Sequence, residues 1–360
     1  MLAMSSSSLL TLNTRGLKNN TKRKTIFKYL KEKKVDIACL QETHVSKNDI
    51  DKWEKEWGGE IFFHEGTQHG RGEAVLVSKR LQGSVKLQEV VDRIMVVTVT
   101  SDEQAFTILH VYTPNNAVEK ISFFDTMSDI LSKYSHHEIV VLGDMNTVIS
   151  NEADIVSGRP HSKTEVHKFI DTVQKHSLCD VWRAFHDNEK QYTWSRSNPF
   201  IARRLDYCLV SESLVQTCAS CEIISVPFTD HRAVYLEFNN ASFVRGPGYW
   251  RFNNSLLREK EFVDSMNMLL DSIPTTGDIC QQWELAKIQI RDYCIHYGKQ
   301  RARNFRTDAS FLEEKLNQLE KQLALDPSDS VLNDVMETKK KLEIISVNKA
   351  KGAQVRARAR

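Results

Sequence analysis

The sequence has a single Cys-x-x-Cys, Cys218 to Cys221, without the second pair of ligands that a zinc site needs, and it has no apolar run close to the length of a membrane-spanning helix, no internal repeat, no long low-complexity stretch and almost no net charge. Each absence removes a class of protein. The seven cysteines are an odd number, and Cys39 and Cys208 lie inside apolar, strand-like runs. They read as reduced core residues rather than as disulfides or zinc ligands. A spanning helix needs roughly 20 apolar residues, and the stretch 1–12 lacks the basic and then apolar pattern of a secretory signal. The expectation is a soluble, intracellular protein, nuclear or cytoplasmic, with no membrane partner. The net charge of +2 hides an asymmetry, because Lys and Arg cluster over 18–34, 299–306 and 349–360. A polyanionic partner is suggested by those clusters and not by the total.

The chain of 360 residues, 41% of them apolar, can build one large α/β domain with a substantial core plus an appendage. Apolar runs at 37–40, 74–78, 94–100, 106–112, 139–142, 205–210, 223–226 and 234–238 predict strands. Stretches 22–33, 121–133 and 164–175 predict helices, with Phe123, Met127, Ile130 and Leu131 recurring at helical spacing. Two packed sheets with helices outside them fit this mix, and periodicity leaves a single doubly wound sheet open. At Arg245-Gly246-Pro247-Gly248 the composition breaks into a linker over 241–258, between a domain at 1–240 and a basic, helical extension at 259–360. In the extension, Leu312, Leu316, Leu319 and Leu323 form one stripe, and Leu332, Val335, Leu342 and Ile345 another, with a break at 326–329. Two antiparallel helices joined at Pro327, a short coiled coil, are the simplest arrangement. Two solvated helices that pack on something outside this chain are the alternative.

Short polar words end several of the apolar runs, and together they carry the chemistry. Hydrolysis of a phosphate ester needs a cation to neutralise the phosphate, a poised water, and help for the charge that builds up in the transition state. Glu42, at the end of the run 37–41, is placed to hold a hard cation such as Mg²⁺. In Gly143-Asp144-Met145-Asn146, Asp144 would orient or deprotonate the attacking water, with Asn146 fixing that carboxylate or touching the phosphate. His231 can donate to a phosphate oxygen or do acid/base work, and Asp206 is the carboxylate that would fix its tautomer and favour its charged form. Tyr112 ends the run 106–111, with its hydroxyl available to the phosphate, and Asn13, at the first strand end, would support Glu42 or the metal. Taken singly, each has a plainer reading as a turn, a cap or a packed side chain. An ordered series of such words at successive strand ends does not.

The words Gln41-Glu42-Thr43-His44, Tyr112-Thr113-Pro114-Asn115, Gly143-Asp144-Met145-Asn146, Arg204-Leu205-Asp206-Tyr207 and Thr229-Asp230-His231, in that order, resemble the endonuclease/exonuclease/phosphatase superfamily. The superfamily includes exonuclease III-type apurinic endonucleases and pancreatic-type deoxyribonucleases. Over about residues 9–238, the resemblance implies a four-layered α/β sandwich of two mainly antiparallel sheets with outer helices. By motif it implies Glu42, Asn13 and Asp230 on the metal side and Tyr112 and Asn115 at the phosphate. It implies Asp144 with its partner Asn146 at the water, and His231 supported by Asp206. Mg²⁺ is the implied cofactor, with Mn²⁺ a substitute. Beyond the nuclease-like words, Gly246-Pro247-Gly248-Tyr249-Trp250-Arg251-Phe252 resembles the connector after the endonuclease of LINE-type non-LTR retrotransposons. The closing stretch 352–360 resembles the basic segment before their reverse transcriptase.

The resulting expectation is a Mg²⁺-dependent DNA endonuclease that leaves a 3′ hydroxyl, as in LINE target-site nicking. The alternatives are an abasic-site or exonuclease III-type repair nuclease, and a catalytically dead nucleic-acid-binding fragment. Substrate choice falls to the loops 156–162 and 191–200, where Thr193, Trp194 and the neighbouring Arg204 are candidate DNA contacts. The basic extension offers a surface for RNA. Two departures from the family pattern stand out: Arg15, where Asn or Asp is frequent, and Glu73, in a strand-like position where relatives carry an apolar residue. An unpaired buried charge at Glu73 would cost several kcal/mol, so it must reach solvent or find a partner.

Overall fold

A computed structural model describes residues 7–66, 72–100, 105–226, 228–238, 252, 254–273, 279–325 and 328–358. The first half runs β1 (Ser8–Asn13), α1 (Asn20–Glu32), β2 (Ile37–Gln41), α2 (Ile50–Trp57), β3 (Glu60–His64), β4 (Glu73–Val77), β5 (Val85–Val91), β6 (Ile94–Thr100), β7 (Ala105–Tyr112), α3 (Ala117–Lys133) and β8 (Glu138–Asp144). It continues with β9 (Ile155–Val156), α4 (Lys163–Lys175), β10 (Leu178–Asp180), α5 (Val181–Phe185), β11 (Trp194–Ser197), β12 (Phe200–Arg203), β13 (Asp206–Ser211), β14 (Cys218–Ser225) and β15 (Arg232–Phe238). Three helices follow, α6 (Lys260–Asp271), α7 (Ile279–Leu325) and α8 (Asp329–Arg358).

The strands form two six-stranded sheets, in the orders β14-β15-β1-β2-β4-β3 and β10-β13-β8-β7-β6-β5, plus a small sheet β11-β12-β9. Each large sheet is antiparallel except for one parallel pair, β1 with β2 and β7 with β8. Three apolar clusters show how the layers stack. Leu9, Cys39 and Val75 of one sheet meet Met95, Ile108, Leu142 and Cys208 of the other. The outer face of the first sheet is covered by Ile26, Phe27 and Leu30 of α1 and Trp53 and Trp57 of α2, and that of the second by Phe123, Phe124 and Met127 of α3 and Phe169 of α4. The four-layered sandwich expected from the motifs is the observed fold, and the doubly wound alternative is excluded by the two separate sheets.

Local chemistry sets where the outer helices begin. The side chains of Asn19, Asn116 and Ser162 accept backbone N–H groups from the first turns of α1, α3 and α4, as N-caps do. The apolar runs did not reveal β3, β5, α2, the short strands β9 to β12 or the short helix α5. β3 and β5 are edge strands with mixed polarity along their length, so they lack the uniform runs of the central strands. One close approach positions the site. A Cβ on Gly143 would lie 1.9 Å from the Val111 carbonyl oxygen, so glycine there lets β7 and β8 pair with Tyr112 beside Asp144.

The chain divides into two compact units, Met1–Phe243 with Leu316–Lys339, and Val244–Lys315 with Lys340–Arg360. The expected linker lies largely outside the described residues, as does the expected joint at Pro327. In the second unit, Phe262 is fully buried among Leu256, Cys294, Tyr293 and Tyr297. No described helix is long and apolar enough to cross a membrane.

Glu73 does not reach solvent, and among the described residues it finds no close partner. It begins β4, is 2% exposed, and its nearest ion-pair contact is His64 Nδ1 at 4.0 Å. Burial pushes its carboxyl up to about 8, against the pull of the Arg93 charge, with Asp92 adding to the rise. A raised carboxyl pKa means that the folded chain binds the proton more tightly than the unfolded chain. The fold is therefore favoured below pH ~4.5 and loses that advantage as pH rises through about 8. Glu73→Leu is expected to raise unfolding free energy by a few kcal/mol (order of magnitude,) at pH 9 and by much less at pH 5. Urea unfolding at the two pH values checks this, and an equal effect at both would refute the buried-acid assignment.

Candidate active site

The ends of strands from both large sheets meet at one cleft. Asp144 ends β8, flanked in the sheet by Tyr112 of β7 on one side and Asp206 of β13 on the other. Asn13 ends β1 beside Gln41 of β2, and Glu42 follows directly. The Asn13 amide nitrogen donates to Glu42 Oε1 at 3.2 Å and to Asp144 Oδ2 at 3.0 Å, so one side chain ties the two sheets together. The Tyr112 hydroxyl donates to Glu42 Oε1 at 2.8 Å.

Backbone conformation at these turns is unusual. Arg15, Glu42, His44 and Asn146 all have positive φ, at 48°, 50°, 55° and 44°. Non-glycine residues hold that conformation only when their surroundings over-determine it. For Asn146 the restraints are visible: its N–H donates to Asp144 Oδ1 at 2.9 Å, its amide nitrogen to the Thr113 carbonyl at 2.7 Å, and its carbonyl accepts from Lys120 Nζ at 2.6 Å. Lys120 is itself buried and paired with Glu165 at 3.1 Å.

His231 Nδ1 sits 2.9 Å from Asp206 Oδ2, with both side chains buried. Burial opposes a charge on His231, but the Asp206 carboxylate, helped by Asp144 and Asp230, prevails and raises it to about 9. The imidazole is therefore cationic at neutral pH, with Nδ1–H donating to Asp206 and the other nitrogen free to act as a second donor. Asp144 is pushed above the usual carboxylate range, first by burial and then by Asp206, while His231 and the bonds from Asn13 and Asn146 pull the other way. Such a carboxylate is a better proton acceptor near neutrality than an exposed one.

The cleft encloses about 910 Å³, and its walls include Asn13, Arg15, Glu42, Asn115, Asp144 and Asn146 on one side and Trp194, Asp230 and His231 on the other. Asp230 Oδ2 accepts from Arg15 at 3.1 Å and from the Trp194 indole at 3.3 Å. Of the residues expected from sequence, Asn13, Glu42, Asn115, Asp144, Asn146, Trp194, Asp230 and His231 line this space. Four do not. Tyr112 lies behind Glu42, and Asp206 behind His231. Thr193 is fully buried, its hydroxyl accepting the N–H groups of Leu205 and Asp206. Arg204 is 2% exposed and locked to Asp154 at 2.8 Å and Asp180 at 2.6 Å. The cleft also contains Lys120, Arg159, His161, Glu165 and Arg203, which the sequence reading did not select. Arg203 ends β12 and lines the cleft, whereas Arg204, the next residue and outside the strand, is held by Asp154 and Asp180. Lys120 and Glu165 sit on helices, where nothing in the sequence separates them from surface charge.

A divalent cation fits the donor set. Asp144, Asp206 and His231 bring ligand atoms within 4.8 Å of one another and could hold a metal ion, although His231 Nδ1 is already engaged by Asp206 at 2.9 Å. Glu42, 3.2 Å from the Asn13 amide nitrogen, and Asp230, on the same cleft, also offer carboxylate oxygens of the kind that hard cations take.

The family model described as Endonuclease/Exonuclease/phosphatase matches residues 10–231. The chain is 26% identical over 98% of its length to the Xenopus laevis transposon TX1 uncharacterized 149 kDa protein, of which it spans only 27%. It is 25% identical to the Bacillus subtilis exodeoxyribonuclease, over 64% of this chain and 99% of that protein. Among solved structures, the AP endonuclease LMAP from Leishmania major superposes with a TM-score of 0.58 at 15% identity, over 66% of this chain and 89% of that one.

The His231–Asp206 pair has a measurable signature in the metal-free protein. Because the folded-state pKa of His231 lies above its ordinary value, its stabilisation is complete below pH ~6.5 and is lost as pH rises through about 9. In EDTA and in a Glu73→Leu background, which lacks the Glu73 slope, unfolding free energy should fall between pH 6.5 and 9.5 by up to about 3 kcal/mol, and Asp206→Asn should remove most of that fall. A slope unchanged in the variant would show that the imidazole does not draw its charge from Asp206.

Proposed function

The chain belongs to the endonuclease/exonuclease/phosphatase family, and from that premise we propose that it is a Mg²⁺-dependent DNA endonuclease of retrotransposon type. It would hydrolyse one strand and leave a 3′ hydroxyl. The observation that carries the choice within the family is the extent of similarity. The match to the transposon protein runs through 98% of this chain, helices included, whereas the match to the exodeoxyribonuclease covers 64%. Since the chain spans about a quarter of that transposon protein, activities of the remainder are not assigned to it.

In this reading Glu42, Asn13 and Asp230 hold the cation, which when bound supplies positive charge against the phosphate. Asp144, its pKa raised, takes a proton from the attacking water while Asn146 N–H fixes one of its oxygens. His231, charged through Asp206, donates to a phosphate oxygen where negative charge accumulates. Tyr112 orients Glu42 through its hydroxyl, in addition to any approach to the phosphate from the same side. Asn115, Trp194 and the basic side chains of Arg15, Arg159 and Arg203 line the path for the flanking DNA. Thr193 and Arg204 act from behind, by supporting the segment that carries Trp194 and the β13 end that carries Asp206. The basic helices beyond residue 258 would add affinity for nucleic acid, RNA included, from the nuclear or cytoplasmic compartment in which such an element acts.

The test is nicking of supercoiled plasmid by the full chain in Mg²⁺ and in EDTA, with an abasic oligonucleotide as competitor. Nicking should require the metal, and Glu42→Ala, Asp144→Ala and His231→Ala should each lower it by about 10² to 10³ without loss of fold. Cleavage confined to the abasic oligonucleotide would replace this reading with a repair nuclease. A folded protein that cuts neither substrate would reduce it to a nucleic-acid-binding module. Binding should also weaken steeply with salt, since Lys and Arg contacts to phosphates release counterions.

A further inference from the structure

The residue after His231 is tied to a helix almost a hundred positions away. Arg232 opens β15 with its guanidinium buried, and Nε lies 3.1 Å from Glu320 Oε2 of α7, close enough to pair but off the line of a directed hydrogen bond. Nη2 donates to the Ile223 carbonyl at 3.1 Å and to the Asn317 side-chain oxygen. Glu320 is only 12% exposed. It accepts from Ser225 Oγ at 2.9 Å and has Lys339 Nζ 2.9 Å from its other oxygen. Arg232 and Lys339 hold its carboxyl below the usual range against the effect of burial. This is a cluster of buried, ion-paired charge, joining β14, β15 and both long helices within one compact unit.

The main chain of the same residue is clamped from the other side. Arg232 N–H donates to the Thr193 carbonyl at 2.6 Å, and His231 forms an antiparallel bridge with Trp194. His231 and Trp194 both face the cleft. A buried guanidinium with its partner removed must move toward solvent or another acceptor, and here such movement displaces the backbone that carries both cleft residues.

We infer that the segment Leu316–Lys339 is a working part of the catalytic body: Glu320 fixes Arg232 as a positioning residue for His231 and Trp194. This goes beyond a passive connector to a missing domain, and its kinetic test rests on the nuclease reading above. No Lys or Arg of the cluster touches the cleft, so its effect should fall on the rate of the chemical step and not on DNA affinity.

The test uses the full chain. Glu320→Gln keeps the shape and removes the charge, and it should lower kcat for nicking about tenfold, a loss of the size that small misplacements cause, with KM within about twofold. The pair Arg232→Met with Glu320→Leu removes both charges and restores an apolar contact. It should melt at or above the wild-type temperature yet keep the reduced kcat. Lys321→Ala, which breaks an exposed bridge to Glu189 at 2.8 Å, should change neither. Wild-type kcat in the folded double variant would overturn the inference, as would failure of both Glu320 variants to fold, because the cluster would then serve the fold alone. If the wild-type chain does not nick DNA, the functional reading fails on its own account. Amide hydrogen exchange at 193–194 and 229–232 then decides the matter: faster exchange in Glu320→Gln supports the clamp, and unchanged exchange overturns it.

Discussion

One amide nitrogen holds the two halves of the site together. Asn13 Nδ2 has two hydrogens, and it gives one to Glu42 and the other to Asp144. The first acceptor belongs to its own sheet and the second to the facing sheet, 131 residues further on. Everything else in the cleft is placed relative to that bridge. Tyr112 completes the coordination of Glu42 from the second sheet, and the Thr229 hydroxyl donates to the Asn13 carbonyl at 2.8 Å, which draws the segment before Asp230 and His231 against the same strand end. The apolar interior between the sheets makes the bridge rigid, since close-packed layers do not slide independently.

The bridge also concentrates negative charge, and the remaining structure answers it. Glu42, Asp144 and Asp206 are each at most 9% exposed, a density of carboxylates that raises the pKa of one of them and charges the nearest histidine. The site without a cation is therefore electrostatically strained in the direction that binding a cation would relieve. This is the same logic that makes Asp144 basic enough to accept a proton. Arg15 answers the same charge: its guanidinium pairs with Asp230 at 3.1 Å at the exposed edge of the cleft.

Much of the candidate site was legible in the sequence, because polar words at the ends of apolar runs mark strand termini and their order resembles a family's motifs, neither of which needs knowledge of long-range packing. Glu42, Asp144, Asn146 and His231 were found that way, and so were the central strands. Edge strands β3 and β5 escaped because their polarity is mixed, and Thr193 and Arg204 were taken for DNA contacts because a polar residue beside a motif does not disclose which face it occupies. Glu73 stands out in the sequence, yet only the three-dimensional packing shows that it is buried, with no close partner among the described residues. Lys120, which holds the Asn146 carbonyl, was invisible for the opposite reason. Its role depends on a contact between a helix and a strand end 26 residues later, and a lysine in a helix otherwise reads as solvent-facing.

The two arginines that adjoin the reactive pair extend this logic. Arg204 precedes Asp206 by two residues and is buried against Asp154 and Asp180, and Arg232 follows His231 and is buried against Glu320. A hydrogen-bonded pair such as His231–Asp206 is only as well aligned as the backbone at each of its ends. A buried guanidinium cannot drift without losing several charge-assisted bonds at once. One anchor lies within the sandwich and the other on a helix, and Leu316–Lys339 clusters with the sandwich and not with the helices that adjoin it in sequence.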